Sequence, residues 1–307
     1  MRTRKEPCWC GGSLPAVWNR DYAYCPVCGT LGSVLPAPGG GGEGEFYDET
    51  YWTERKSAAY ADMGPKNLVD IVLLHYRERA AYWMQHMLRH VKAGSRVFEI
   101  GCGMGSMLRW LLDLGFDAAG SELSPSWRRW LNERLGIPVM APENMVSHAA
   151  GRPFDCVIMM DVLEHLPDPR GDLERIAATM RPDGVLMLQL PEYPDGASYK
   201  ELLAKDAPFL RHLNAGEHVF LYSERALHRL LAECGFTHTL RYPAIFRGDM
   251  FIFAGREPLP VIAEDESEAA ILANPRHISA YAALKNEMIL RAALRRPGSG
   301  AAVRREP

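Results

Sequence analysis

From Arg96 onward, short apolar runs alternate with segments whose apolar residues recur every three or four positions. The runs predict strands over Arg96–Ile100, Ala118–Glu122, Ile137–Ala141, Phe154–Met160 and Val185–Leu190. The intervening spacing predicts helices over Ser106–Leu114, Pro125–Leu135, Asp172–Met180 and Ser223–Cys234. Ser124 reads as an N-cap, Gly235 as a C-cap, and Arg181-Pro182-Asp183-Gly184 as a turn between helix and strand. Two final runs, Thr237–Phe246 and Met250–Ala254, flank Arg247-Gly248-Asp249 and predict a closing antiparallel pair. Apolar strands alternating with helices imply a parallel sheet covered on both faces. The expected fold class is α/β, with a seven-stranded, mostly parallel, Rossmann-like sheet.

The pattern before Arg96 is different. Residues 1–35 are rich in Cys, Gly and Pro, and Pro36–Gly42 reads as a flexible linker. Over residues 46–94, Leu68, Ile71, Val72 and Leu74, then Trp83, Met84, Met87, Leu88 and Val91, fit amphipathic helices. Beyond the sheet, Ile271, Leu272, Tyr281 and Leu284 suggest a helical cover or a homodimer contact, followed by a disordered tail. The expected division is a knuckle at 1–35, a linker and aromatic lid at 36–94, the main domain at 95–256 and a C-terminal extension at 257–307.

Charge and composition narrow the classes of function. A net charge of −3 leaves no basic footprint for nucleic acid. No apolar run is long enough to span a membrane, and Met1–Glu6 leads into cysteines and glycines rather than an apolar leader. A cytoplasmic protein is the expectation. The odd count of 7 cysteines argues against a disulfide framework.

The first strand runs into Glu99-Ile100-Gly101-Cys102-Gly103-Met104-Gly105. A glycine-rich turn between strand and helix lets a ligand approach the backbone closely. A dinucleotide site would want glycine at 106, where Ser106 stands. Glu99 would repel a pyrophosphate and suits a ligand carrying positive charge. Glu122, at the tip of the next strand, stands where an acid can accept hydrogen bonds from ribose hydroxyls.

These motifs, with Phe154-Asp155-Cys156-Val157-Ile158-Met159-Met160-Asp161-Val162-Leu163-Glu164-His165-Leu166-Pro167-Asp168-Pro169, resemble the class I methyltransferases that use S-adenosylmethionine (SAM). The resemblance covers roughly residues 95–255. It implies that Gly101, Cys102, Gly103 and Gly105 cradle SAM, that Glu99 and Asp161 lie near its methionine part, and that Glu122 and Leu123 hold its ribose. It places Glu143 and Asn144 beside the adenine.

Near the N-terminus, Cys8-x-Cys10-Gly11-Gly12 precedes Cys25-Pro26-Val27-Cys28-Gly29. Two close cysteine pairs can supply a tetrahedral thiolate site, here for a structural Zn2+ with no open position for chemistry. A subset of class I methyltransferases resembles this layout, with such a segment followed by an aromatic stretch like Phe46–Trp52. Several act on sugars, others on glycans or natural products.

Methyl transfer to a hydroxyl or carbon acid requires removal of a proton. His218, assisted by Glu217, is the expected base; His165, after the fourth strand, is the second candidate, and His212 and His228 read as ordinary surface residues. The expected reaction is O-methylation of a sugar, glycan or natural product. Its alternatives are C-methylation of a nucleotide-linked deoxysugar, RNA methylation and a non-catalytic zinc-linked scaffold.

Overall fold

The computed structural model describes residues 7–14, 16–36 and 79–294. Three short strands come first, β1 (Ala16–Val17), β2 (Tyr22–Tyr24) and β3 (Leu31–Ser33). Helix α1 covers 79–87. Then follow β4 (Arg96–Ile100), α2 (Ser106–Asp113), β5 (Asp117–Ser121), α3 (Pro125–Leu135), β6 (Val139–Met140), α4 (Met145–Ala149) and β7 (Phe154–Met160). The second half runs α5 (Pro169–Thr179), β8 (Met180–Pro191), α6 (Tyr199–Ala204), β9 (Phe220–Leu221), α7 (Glu224–Glu233), β10 (His238–Tyr242), β11 (Asp249–Gly255), α8 (Glu264–Leu272) and α9 (Ile278–Leu294).

The main sheet has seven strands in the order β10-β11-β8-β7-β4-β5-β6. Strands β8, β7, β4, β5 and β6 are mutually parallel, while β11 is antiparallel to β8 and β10 to β11. Side chains alternate between two cores, as the period of a strand requires. On β4, β8 and β11, Phe98, Leu186, Leu188, Met250 and Ile252 face α5 and α7. Val97, Val185, Met187, Phe251 and Phe253 face α1, α2, α8 and α9. Burial on both faces explains why these strands read as unbroken apolar runs. Edge strand β10 is mostly exposed, and its Arg241 pairs with Glu192 and Glu224, which blunts the open edge.

Side chains cap the starts of three helices, Ser124 and Ser223 where sequence expected them and Asp168 where it did not. Ser124 Oγ accepts from Trp127 N at 3.3 Å, Asp168 accepts from Gly171 N at 3.1 Å and Ser223 Oγ accepts from Ala226 N at 3.2 Å. Asp168 starts α5 earlier than hydrophobic spacing alone suggested. The Arg181–Gly184 run is not a turn outside the sheet. It lies within β8, where register shifts between the Phe154 and Cys156 pairings with β7. Trp83, Met84 and Met87 of α1 are buried, as are Ile271, Tyr281 and Leu284 of α8 and α9, so the C-terminal segment covers the main core. Leu68–Leu74, Phe46–Trp52, the Gly39–Gly42 linker and the tail beyond residue 294 lie outside the described residues. Among the described residues no helix is long and apolar enough to cross a membrane.

A second sheet, unforeseen from sequence, joins β1, β2 and β3 to β9 of the main domain. Leu31 pairs with Leu221 and Gly32 with Phe220, both antiparallel. Tyr22 OH donates to the His218 carbonyl at 3.2 Å, Gly216 N donates to Ser33 Oγ at 3.0 Å, and Trp18 Nε1 donates to the Ala197 carbonyl at 2.8 Å. The knuckle therefore packs directly on the chain that leads from β8 into α7.

Candidate functional site: a cofactor crevice, a histidine cluster and a thiolate knuckle

The C-terminal ends of β4, β5, β7 and β8 converge, the position where open α/β sheets bind ligands. The turn after β4 has Gly101, Gly103 and Gly105 at φ 65°, 52° and 71°, left-handed conformations that favour glycine. At Gly101 a methyl group would come within 2.8 Å of Val162 Cγ2. Tight packing of this turn against the end of β7 therefore admits no side chain. Cys102 is buried, and its N–H donates to the Ser121 carbonyl at 2.9 Å, joining the turn to β5.

Two acids line this crevice. Glu99 is 5% exposed, and its Oε2 finds no hydrogen-bond partner among the described residues. Burial, reinforced by the nearby Glu122 charge, pushes its carboxyl up to about 8. A ligand ammonium would satisfy that orphaned oxygen. Glu122 accepts from Gly103 N and from Ser124 N, each at 3.0 Å, so one carboxylate ties the glycine turn to the start of α3. Burial still holds its pKa above the usual carboxylate range, against the pull of those N–H groups. Leu123 is partly exposed beside it, and Glu143 and Asn144 sit exposed in a helical turn just beyond β6.

Because the Glu99 carboxyl is raised on folding, the stability it contributes is complete below the unfolded value of 4.5 and is lost as pH rises through about 8. Glu99→Gln is expected to stabilise the ligand-free chain at pH 8.5 by ~2–4 kcal/mol and to be close to neutral at pH 4. Urea unfolding at the two pH values checks this. Equal effects at both would show that Glu99 is not a strained carboxyl.

Asp161 follows β7 with φ 57°, unusual for a non-glycine residue, and lies exposed at the crevice. Gln189 Nε2 donates to its Oδ1 at 3.4 Å, while Gln189 Oε1 accepts from Trp83 Nε1 at 3.0 Å. Helix α1 thus reaches the site through one buried amide.

Next to Asp161, residues 163–165 form a single helical turn that brings three chemistry-bearing side chains together. His165 and His218 lie with ring centroids 4.8 Å apart and edges to faces. His165 Nδ1 donates to the Glu217 carbonyl at 2.9 Å, and His218 Nδ1 donates to the His212 carbonyl at 2.7 Å. In the neutral rings the lone pair is then on Nε2 in both cases. Glu164 Oε1 is 4.0 Å from His165 Nε2, and Glu164 Oε2 is buried without a hydrogen-bond partner among the described residues. Burial drives the Glu164 carboxyl well above its ordinary range and, with the His165 charge second, lowers His218 to about 3.

Sequence brought His165 and His218 to one place, and the structure adds Glu164 between strand and histidine. It gives Glu217 a role through its backbone carbonyl. His212 is not an ordinary surface residue: its Nε2 lies 3.0 Å from Oδ1 of buried Asp249, and its carbonyl holds His218. Asp249 carried a sequence signal only as part of a turn, because its partner lies 37 positions away and nothing local links them. Glu164 was visible as an acid beside His165, but its burial was not.

The four knuckle cysteines form the third group. Cys8 and Cys28 Sγ are 3.6 Å apart, as are Cys10 and Cys25 Sγ, and all four sulfurs lie within 4.8 Å of one another. Disulfides are far shorter. A tetrahedral zinc with Zn–S of about 2.3 Å separates its sulfurs by about 3.8 Å, so the donor set fits that ion. Contact with Cys28 and burial push the Cys8 thiol up, whereas hydrogen bonding from Cys8 lowers Cys28 to about 5. Four crowded sulfurs cannot all ionise without a cation. Gly11 N and Gly29 N donate to the Cys8 and Cys25 carbonyls at 2.9 Å, closing one knuckle around each pair.

The strand order, the glycine turn and the two acids define the class I, SAM-dependent methyltransferase fold. The chain belongs to the methyltransferase domain family, whose model matches residues 73–240. It is 32% identical over 103 residues to a ubiquinone biosynthesis O-methyltransferase of Xanthomonas axonopodis pv. citri, covering 31% of this chain and 43% of that protein. The chain thus spans less than half the length of that relative. Among solved structures, it is similar to an O-methyltransferase family protein from Burkholderia thailandensis (15% identity, TM-score 0.47, 68% of this chain and 63% of that one). It is also similar to magnesium protoporphyrin IX methyltransferase from Synechocystis PCC 6803 with bound S-adenosylhomocysteine (20% identity, TM-score 0.44, 67% of this chain and 97% of that one).

Proposed function

We propose that this protein transfers the methyl group of SAM to a hydroxyl oxygen of a small molecule, in a carbohydrate or natural product. The observation that carries this reading is the juxtaposition of the Glu99–Glu122 crevice with the Glu164–His165–His218 cluster at adjoining strand ends. Bound SAM supplies a methyl group on a sulfonium and leaves as a neutral thioether. The crevice residues divide its recognition: the glycine turn cradles it, Glu99 and Asp161 face the amino-acid part, and Glu122 with Leu123 faces the ribose. As the acceptor oxygen bonds to the methyl carbon, the carbon–sulfur pair stays on sulfur. The hydroxyl proton must leave the oxygen, and the histidine cluster assists that loss.

The curated relatives are O-methyltransferases by name, which supports oxygen over carbon as the acceptor atom. Their role in ubiquinone biosynthesis supports a second reading, an acceptor of that type. SAM carrying an isotopically labelled methyl group separates these, when offered with nucleotide-sugar and glycan, quinone-precursor and RNA fractions. Label in the sugar or natural-product pool, lost in a Glu122 variant, supports the first reading. Label in the quinone-precursor pool supports the second, and label in RNA overturns both.

His218→Ala is expected to lower turnover by about 10²–10⁴-fold while SAM affinity changes little. Single-turnover transfer beside calorimetric SAM binding checks this, and wild-type turnover would remove His218 from the chemistry.

A further inference from the structure

We infer that Tyr22, in the N-terminal cysteine segment, is a positioning residue for His218: its hydroxyl holds the loop that carries that imidazole. The positioning serves the proton loss proposed above and rests on that reading.

Residues 213–219 belong to no helix or strand. Such a loop keeps a functional side chain in place only through its hydrogen bonds and a rigid support. Glu217 N and His218 N donate to the Asn214 carbonyl at 3.1 and 2.8 Å, and His218 Nδ1 donates to the His212 carbonyl at 2.7 Å. These bonds lie within the loop or at its start, so they shape it without anchoring it. The anchors come from elsewhere in the chain. On one side, Val219 N donates to the Glu164 carbonyl at 2.8 Å. On the other, Tyr22 OH donates to the His218 carbonyl at 3.2 Å, Gly216 N donates to Ser33 Oγ at 3.0 Å, and Ser33 N donates to the Val219 carbonyl at 2.9 Å. The peptide joining His218 to Val219 is thus gripped at its carbonyl by Tyr22 and at its N–H by Glu164. That grip fixes the backbone from which the imidazole projects, and with it the Nδ1–H bond that leaves the lone pair on Nε2.

Tyr22 is fully buried, and its ring packs with Leu31, Tyr193, Phe209 and Leu221. A phenylalanine would fill that core equally well. What the hydroxyl adds is the bond to the His218 carbonyl. On β2, Tyr22 pairs with Ser33 of β3, so one hairpin supplies all three of these contacts to the loop.

Tyr22→Phe removes the hydroxyl and keeps the ring. In ligand-free protein at neutral pH, nitrogen-edited imidazole spectra report the tautomer of His218, and hydrogen exchange reports its Nδ1 proton and its amide. In the wild type a single tautomer, protonated on Nδ1, is expected. In the variant both protons should exchange about five- to tenfold faster and the two tautomers should mix, because a buried carbonyl has lost its donor. Zinc content and the protection of the β4 and β7 amides should stay as in the wild type. A ring that only fills space would leave the Nδ1 proton untouched, so exchange within about twofold of wild type overturns the inference. Fluorotyrosine at position 22, a stronger donor of nearly the same size, should instead slow both exchanges. That protein decides the question if the phenylalanine variant does not fold, and no slowing in it overturns the inference. The signals are read without SAM or acceptor. An unmoved His218 therefore leaves the proposed methyl transfer standing, and failure of the labelled-methyl assay leaves the His218 result standing.

Discussion

Glu122→Ala is expected to weaken binding of S-adenosylhomocysteine about a hundredfold, because in the proposed complex two charge-assisted hydrogen bonds of ~1.5 kcal/mol each from the ribose hydroxyls would be lost. In the protein without ligand the same carboxylate already accepts from Gly103 N and Ser124 N. The carboxylate therefore acts twice. It ties the glycine turn to the start of α3, and in the proposed complex it would present acceptors at the tip of β5 for the ribose hydroxyls. Alanine leaves two N–H groups unpaired in a buried pocket as well as removing the ligand contact. Glu122→Gln separates the parts: an amide can still accept from one N–H, so it should retain more of the turn than of the ribose affinity. Calorimetric titration of all three proteins checks the order wild type, Gln, Ala. Binding by the alanine variant within threefold of wild type would remove Glu122 from cofactor recognition.

Cys25→Ser is expected to abolish zinc binding by the four cysteines and to loosen the pairing of β3 with β9, next to His218. A structural zinc contributes on the order of 10 kcal/mol to the folding of small cysteine modules, and a serine hydroxyl is a poor replacement for a thiolate. Cys25 is buried, and its carbonyl and N–H close the second knuckle with Gly29 and Thr30. Without it, β3 loses the support that holds it on β9. Zinc content should fall by one equivalent per chain. Hydrogen exchange should rise at Ser33 and Val219–Leu221, while the cores around β4 and β7 stay protected. Full protection at Val219–Leu221 in zinc-free protein would show that the two sheets hold together without the metal.

The parts of this molecule legible from sequence are those whose signal is local. The glycine turn, Glu99, Glu122 and the apolar run of β7 each fall within a few residues, so periodicity and spacing locate them. The cysteine pairs are equally compact. What sequence did not reveal depends on distant partners. Strand β9 is two residues long and gains its identity from Leu31 and Gly32, nearly two hundred positions earlier. The Arg181–Gly184 run carries turn residues and lies inside the span of β8 without β7 partners, between the Met180 and Val185 pairings. His212 has a polar local context, and only the approach of Asp249 and His218 makes it part of the site. Glu164 sits in a motif that reads as a turn, and its burial follows from the return of residues 217–219 over it: Val219 N donates to the Glu164 carbonyl at 2.8 Å.

The pairing of β3 with β9 also sets an order of events during synthesis. Leu31 and Leu221 are separated by 190 positions (221 − 31). At about 5–20 residues per second, the N-terminal segment leaves the ribosome roughly 10–40 s before its docking strand exists. Over that interval four thiols are exposed on a short nascent segment with no sheet to lean on. A cation that fits the four thiols can be taken up in that interval, before the strand on which β3 docks has been made.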